Sequence, residues 1–381
     1  MTPDLFPLAP AGPIGQPAPV WLLLTLKTLG FFLHLVPMNI WFGGMVLVAG
    51  LSLARHHHAR RMAYRLARAM PVIIALGINF GIVPLLFLQV LYYPVFYPAT
   101  LLMGWWWFAV IPLLLIAYYG VYYYVLQLRA GRASRWSLPA AVVSAAAFLL
   151  IGFIFTNLFS LMANGGQMLA LYDHTATGGA VTGTALNLQD PTLWTRWLMM
   201  FGLAVSTTAV YLLVDTSCFG AHESEAYRWW ARHFAWRLYT QGVLGFAAFG
   251  AWYFVGRLPS EVQQAIQQDG RLLALFGATI LLPVAVWGLF ERAIATGTRP
   301  AAVAVAVVHG LVLALNAVGR QWLQSVEVAR VFDPATLPVR TQWGPLAVFF
   351  ALFTVGIGVM AWMLRQLPWT QAERSLQEQD L

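Results

Sequence analysis

The chain has 381 residues, of which 60% are hydrophobic, 14% aromatic and only 9% charged, with a mean hydropathy of +0.69. So little charge excludes a water-soluble globular domain and points to a polytopic membrane protein whose charges sit in loops. The net charge of +8 and the pI near 9.8 do not point to nucleic acid, because the arginines cluster between apolar runs and read as membrane topology. A single cysteine, Cys218, rules out an internal disulfide, a cysteine-built metal cluster and haem attached through CxxCH.

In chain order, residues 1–20 form a Pro-rich leader (MTPDLFPLAPAGPIGQPAP) without the charged start of a signal peptide. Nine apolar runs of spanning length follow, near 21–53, 69–93, 101–127, 138–163, 194–217, 238–256, 272–291, 301–322 and 344–364. They predict an all-α integral membrane protein, a nine-transmembrane-helix bundle in one domain over 21–366, with a short tail over 367–381. The third run, GWWWFAVIPLLLIAYYGVYYYV, concentrates Trp and Tyr towards its ends, as an interfacial belt does. Fifteen of the 22 Lys and Arg residues fall on one side of this topology and seven on the other. The bias predicts an external N-terminus, a cytoplasmic C-terminus and external loops at 164–193 and 323–343. The basic run RHHHARR then lies on the cytoplasmic side, and His56, His57 and His58 read as a solvated turn.

Polar side chains inside a bilayer are costly, so each is a candidate for function. The set is His34, Asn79, Asn157, Met199, Met200, His309, Asn316 and Arg320, with Lys27 marking the outer boundary of the first span. Each also has a plain structural reading: a packed imidazole, an amide joining helices, or methionine as core filler. The residue types together suit haem. Iron takes an imidazole, with Met or a second His opposite, and bundle cores hold the apolar macrocycle. Gly43 and Gly44 would let a flat ring approach the backbone, and Arg320 or Arg196 would pair with its carboxylates. No HExxH, GxSxG or Walker loop is present. The acidic residues near the spans, Asp215 and Glu291, lie at their ends, so no buried carboxylate is expected.

The order of motifs resembles subunit I of cytochrome bd quinol oxidase. HLVP at 34–37, INFG at 78–81, TNLFSLMANGGQM at 156–168, DPTLWTRWLM at 190–199 and GRQW at 319–322 carry the resemblance. It implies nine spans with the N-terminus outside, a haem-ligating His34, and a place among other subunits of a respiratory complex in the bacterial inner membrane. The chain also departs from that pattern. The quinol-binding loop is reduced to GRLPSEVQQAIQQDG, 256–270. Met199 stands where a ligand histidine belongs, Ala317 where a glutamate belongs, and the third span lacks its glutamates.

The reading is a haem b-binding electron-transfer subunit, with one or two haem b groups and oxidoreductase activity if haem is bound. His34 is the axial ligand, Met199 or His309 a second iron ligand, and Arg320 or Arg196 a propionate partner. Asn79 stands beside the cofactor, and no catalytic residue is assigned. Without the quinol loop, the expected electron partner is a periplasmic c-type cytochrome, and the other partners are membrane lipid and further subunits. The alternatives are a terminal oxygen reductase subunit and a haem-less scaffold or transporter.

Overall fold

A computed structural model describes residues 15–130 and 135–366; the tail at 367–381 and the first fourteen residues of the leader lie outside the described residues. The chain folds into α1 (Val20–Ser52), α2 (His57–Leu91), α3 (Tyr93–Leu102), α4 (Gly104–Arg129), α5 (Ser137–Met162) and α6 (Gly165–Thr175), followed by α7 (Leu193–Val214), α8 (Glu225–Gly256), α9 (Ser260–Gln268), α10 (Gly270–Thr296), α11 (Arg299–Ala329) and α12 (Trp343–Gln366). Among the described residues there are no strands, only two isolated bridges. Helices satisfy every backbone group within the segment, which is what an apolar run needs in lipid.

Eight helices are long and apolar enough to cross a membrane among the described residues: α1, α2, α4, α5, α7, α10, α11 and α12. The run at 238–256 occupies the second half of α8 and is not one of the eight; the first half carries Arg228, Arg232, His233 and Arg237. More than half of the most apolar stretch of α1 and of α7 is buried, and none of that of α12. The bundle is therefore built around α1, which packs on α2, α5, α7 and α11. α7 and α8 approach through Gly202 and Gly242. A Cβ on Gly202 would stand 2.5 Å from the Phe246 nitrogen, and one on Gly242 2.5 Å from the Ser206 nitrogen. Small residues at such a seam allow the backbone contact that drives helix association in lipid.

The two ends are closed differently. At the arginine-rich end α7 finishes in a π-helical turn, Asp215–Phe219. Arg65 of α2 grips Asp215 with two bonds of 2.8 and 3.0 Å and reaches Glu223 at 2.8 Å, where Arg61 also binds. At the opposite end residues 16–17 bond the backbone of 338–342, and Asn157 of α5 accepts the Asn187 N–H at 3.0 Å.

One expectation is overturned here. Residues 323–329 are not loop: α11 runs on to Ala329 and carries Glu327 inward, 4% exposed. Leu323 and Glu327 are one helical turn apart, so the face that buries the leucine also buries the carboxylate. The bundle thus holds an acidic side chain that the apolar-run boundaries concealed.

Candidate functional site

A cavity of about 270 Å³ lies against α1 and α2 and is also lined from α4, α5, α7 and α11. His34 of α1 is on its wall. The His34 Nδ1 stands 2.7 Å from the Gly77 carbonyl of α2. A carbonyl only accepts, so Nδ1 carries the proton and donates it, and Nε2 keeps its lone pair. Trp41 meets the imidazole edge-on at 5.8 Å and stacks on Phe148 at 5.6 Å, so the ring's orientation is fixed. Gly81, the glycine of INFG, gives the imidazole its room. A Cβ there would lie 2.9 Å from both Cε1 and Nδ1 of His34.

Lys27, Arg320, Gln321 and Gln324 line the same cavity. Lys27 is two helical turns before His34 on the same face of α1, and its ammonium donates to the Gln321 and Gln324 side-chain oxygens, the latter at 2.6 Å. The Arg320 guanidinium lies over the Phe31 and Phe159 rings, 4.5 and 4.7 Å from their centroids. The remaining wall is apolar, including Phe42, Ile78, Leu85, Phe155 and Met200. Arg320 is legible in the sequence as a polar residue ending an apolar run, whereas Lys27 reads there as the boundary of the first span. Its seven-residue spacing from His34 was the available signal.

The other sequence candidates are elsewhere. Met200 lines the cavity, whereas Met199 is turned about 100° away on α7 and packs beside Gly250 of α8. Arg196 pairs with Glu327, which also accepts the Tyr253 hydroxyl at 3.0 Å. Its guanidinium lies 5.1 Å over the Tyr253 ring. Asn79 is exposed and donates to the Ala75 carbonyl of its own helix at 2.8 Å, away from the cavity. Gly43 and Gly44 serve helix packing: a Cβ on Gly43 would meet the Ala204 backbone at 2.9 Å, and one on Gly44 would meet Met70 at 2.5 Å.

His309 of α11 is 3% exposed and does not line the cavity. Its Nε2 lies 3.1 Å from the Thr207 hydroxyl. That hydroxyl donates to the Leu203 carbonyl at 2.8 Å and accepts from Asn39 at 3.1 Å, so Nε2 must be the donor. Nδ1 is left buried without a partner. Among the described residues no three His, Cys, Asp or Glu side chains converge to hold a bare metal ion. What the cavity offers is one imidazole nitrogen, an apolar wall and a cationic end, the requirements of an amphipathic organic cofactor with a metal of its own.

No protein-family profile matches the sequence, and no curated protein does. Among solved structures the chain is similar to the bd oxidase from Geobacillus thermodenitrificans, with a TM-score of 0.67 over 93% of this chain and 100% of that one, at 14% identity. At that identity the likeness is one of fold. The chain is a multi-pass membrane protein with a bd-oxidase-like helical fold.

Proposed function

We propose that the protein is a haem b-binding electron-transfer subunit of a bacterial respiratory complex, with the haem in the His34 cavity. The observation that carries this reading is the free Nε2 of His34 on the wall of an apolar cavity. The residues present fit the group. Gly77 holds the neutral tautomer that ligation requires, as a carbonyl does behind many metal-bound histidines. Gly81 leaves space at the ring, and Lys27, Arg320 and the unmatched Gln324 Nε2 stand at the cavity's other end. Haem supplies a one-electron couple when bound. His34 holds it, the aromatic wall of Trp41, Phe42 and Phe148 excludes water, and Arg320 faces its acidic groups. Met200 of α7 and Met38 of α1 are thioethers on the same wall, and on α7 the role expected of Met199 passes to Met200.

The same reading takes α8 as the ninth span, puts the arginine-rich end in the cytoplasm and the N-terminus outside, and treats 21–366 as one domain. The short α9, in place of a long loop between the sixth and seventh spans, favours a periplasmic c-type cytochrome over quinol as the electron partner. The complex lies in the inner membrane with further subunits. The test is a reduced-minus-oxidised absorption spectrum of the detergent-purified chain, with pyridine haemochrome quantitation. A b-type α-band at about one haem or more per chain is expected. A featureless spectrum from folded protein would sink the reading and favour a haem-less scaffold.

A second reading, a terminal oxygen reductase, has two observations in its favour. The similar structure is an oxidase, and Glu327 is a buried carboxylate inside the bundle. Oxygen consumption with an artificial electron donor separates it from the first.

A further inference from the structure

The cationic end of the His34 cavity has more donors than the protein satisfies. Lys27 is 7% exposed and points into α11 rather than out towards a membrane surface, as a lysine near a helix end usually does. Its partners, the Gln321 and Gln324 oxygens, are neutral. Arg320 lines the same cavity and has no carboxylate partner among the described residues. The acidic group seven residues further along α11, Glu327, is taken by Arg196 and Tyr253. Lys27 and Arg320 are thus desolvated cations whose one nearby carboxylate is already bonded to a third cation, Arg196, an arrangement that is disfavoured.

The amides add to the imbalance. Gln321 is satisfied at both ends, accepting from Lys27 and donating to Tyr92 and Ser325 at 3.3 and 3.0 Å. Gln324 gives its oxygen to Lys27, which fixes its orientation, and its Nε2 is then a buried donor with no acceptor. The Arg320 guanidinium lies over both the Phe31 and Phe159 rings, which are π contacts and leave the hydrogen-bonding of its N–H groups to a ligand in the cavity. An ammonium, a guanidinium and an amide N–H therefore meet at one end of a single cavity, and the amide N–H has no acceptor among the described residues. That is the recognition chemistry of a carboxylate pair.

We propose that Lys27, Arg320 and the Gln324 amide form an anion clamp that takes the two carboxylates of the cofactor bound through His34. The proposal rests on the haem reading above. It adds Lys27 and Gln324 to the site and gives Lys27 a measurable role. A buried cation beside a redox group favours the added electron, so the charge on Lys27 holds the haem's midpoint potential up.

The test is a potentiometric titration of the haem α-band in the purified full-length protein. Lys27→Gln is expected to shift the reduction equilibrium about tenfold towards the oxidised form, which is about 59 mV for one electron. Lys27→Arg, which keeps the charge, is expected to hold the wild-type potential. Gln324→Leu is expected to lower haem retention during purification without a comparable shift in potential. If Lys27→Gln does not fold, Arg320→Gln is read in the same way. Haem-loaded protein whose potential is unchanged in both charge-removing variants overturns the clamp and leaves the haem reading standing. A haem-free wild type overturns the haem reading itself.

Discussion

The bundle holds two deeply placed histidines, and they differ in one respect that decides what each does. His34 gives Nδ1 to a main-chain carbonyl and keeps Nε2 on the wall of a cavity. His309 gives Nε2 to a hydroxyl fixed by Asn39 and Leu203, and its Nδ1 is sealed in packing. Both are costly to bury, so burial alone does not separate a ligand from a packing residue. The separation comes from which nitrogen the second partner occupies and what the other nitrogen faces. The surroundings follow suit. His34 shares its cavity with two cations, Lys27 and Arg320, that have no salt-bridged carboxylate among the described residues, whereas His309 sits edge-on to Tyr239 at 5.8 Å in a seam of threonines and an asparagine.

Exchanging the two histidines for alanine is the direct way to break this comparison. His34→Ala is expected to abolish the b-type spectrum almost completely in a protein that still folds, because no other imidazole lines the cavity. His309→Ala is expected to keep the full haem content and to cost about 1–3 kcal/mol of stability, the usual price of a buried truncation. Haemochrome quantitation with denaturant unfolding in detergent measures both. Equal loss of haem in the two variants would mean that His309 supplies a ligand after all.

Glu327→Gln probes the cation that is not available to the cavity. Removing one partner of a buried ion pair leaves the other uncompensated and costs about 3–5 kcal/mol. Arg196 and Tyr253 are both tied to this carboxylate, so α7, α8 and α11 loosen together. The loss is expected in unfolding midpoints, with the α-band position of the surviving folded protein unchanged. A shifted band at full stability would place Arg196 on the cofactor instead.

A smaller effect separates the two histidines through glycines. Gly81→Ala puts a methyl group 2.9 Å from the His34 ring, which must turn and strain its bond to Gly77. About a tenfold loss of haem affinity is expected, equal to about 1.4 kcal/mol. Gly310→Ala, beside His309, meets nothing within 4 Å and is expected to leave haem binding unchanged. Retention of wild-type affinity in Gly81→Ala would show that the imidazole is not held as the cavity reading requires.

How far these distinctions were legible in the sequence depends on the scale. Apolar runs mark α1, α5 and α7 to within three residues, because lipid demands a minimum helical length and tolerates few charges. The short helices α3, α6 and α9 were invisible to that criterion, and Glu327 was missed because helices outlast their apolar stretch. His34 and Arg320 stood out as polar residues in apolar runs. Lys27 stood out equally but sat where a boundary was expected. The resemblance picks out Met199, whereas Met200 lines the cavity: adjacent residues on a helix differ by about 100°, and a motif match does not say which one faces the cavity. Which nitrogen of each imidazole is free depends on partners 43 residues away for His34 and 102 away for His309, and no local pattern encodes those pairings.

Acid should separate the cavity from the arginine-rich end. Burial pushes the Glu223 carboxyl up, but its bonds to Arg61 and Arg65 outweigh this and hold it below the usual carboxylate range. A carboxyl depressed on folding contributes stability that is complete above its unfolded value, about pH 4.3, and is lost as the pH falls through the lower folded value. Protonated Glu223 releases Arg61 and leaves Arg65 with Asp215 alone, so the link from α2 to the loop before α8 opens first. The His34 cavity lies away from this latch and holds none of its residues. Hydrogen exchange at pH 4 and below is therefore expected to rise in the amides of residues 215–228 while the haem band is unchanged. Glu223→Gln should reproduce the faster exchange at neutral pH and flatten the acid response. If the band and the exchange instead change together, the two ends form one cooperative unit, and the His34 site is not insulated from the end of α7 that carries Asp215.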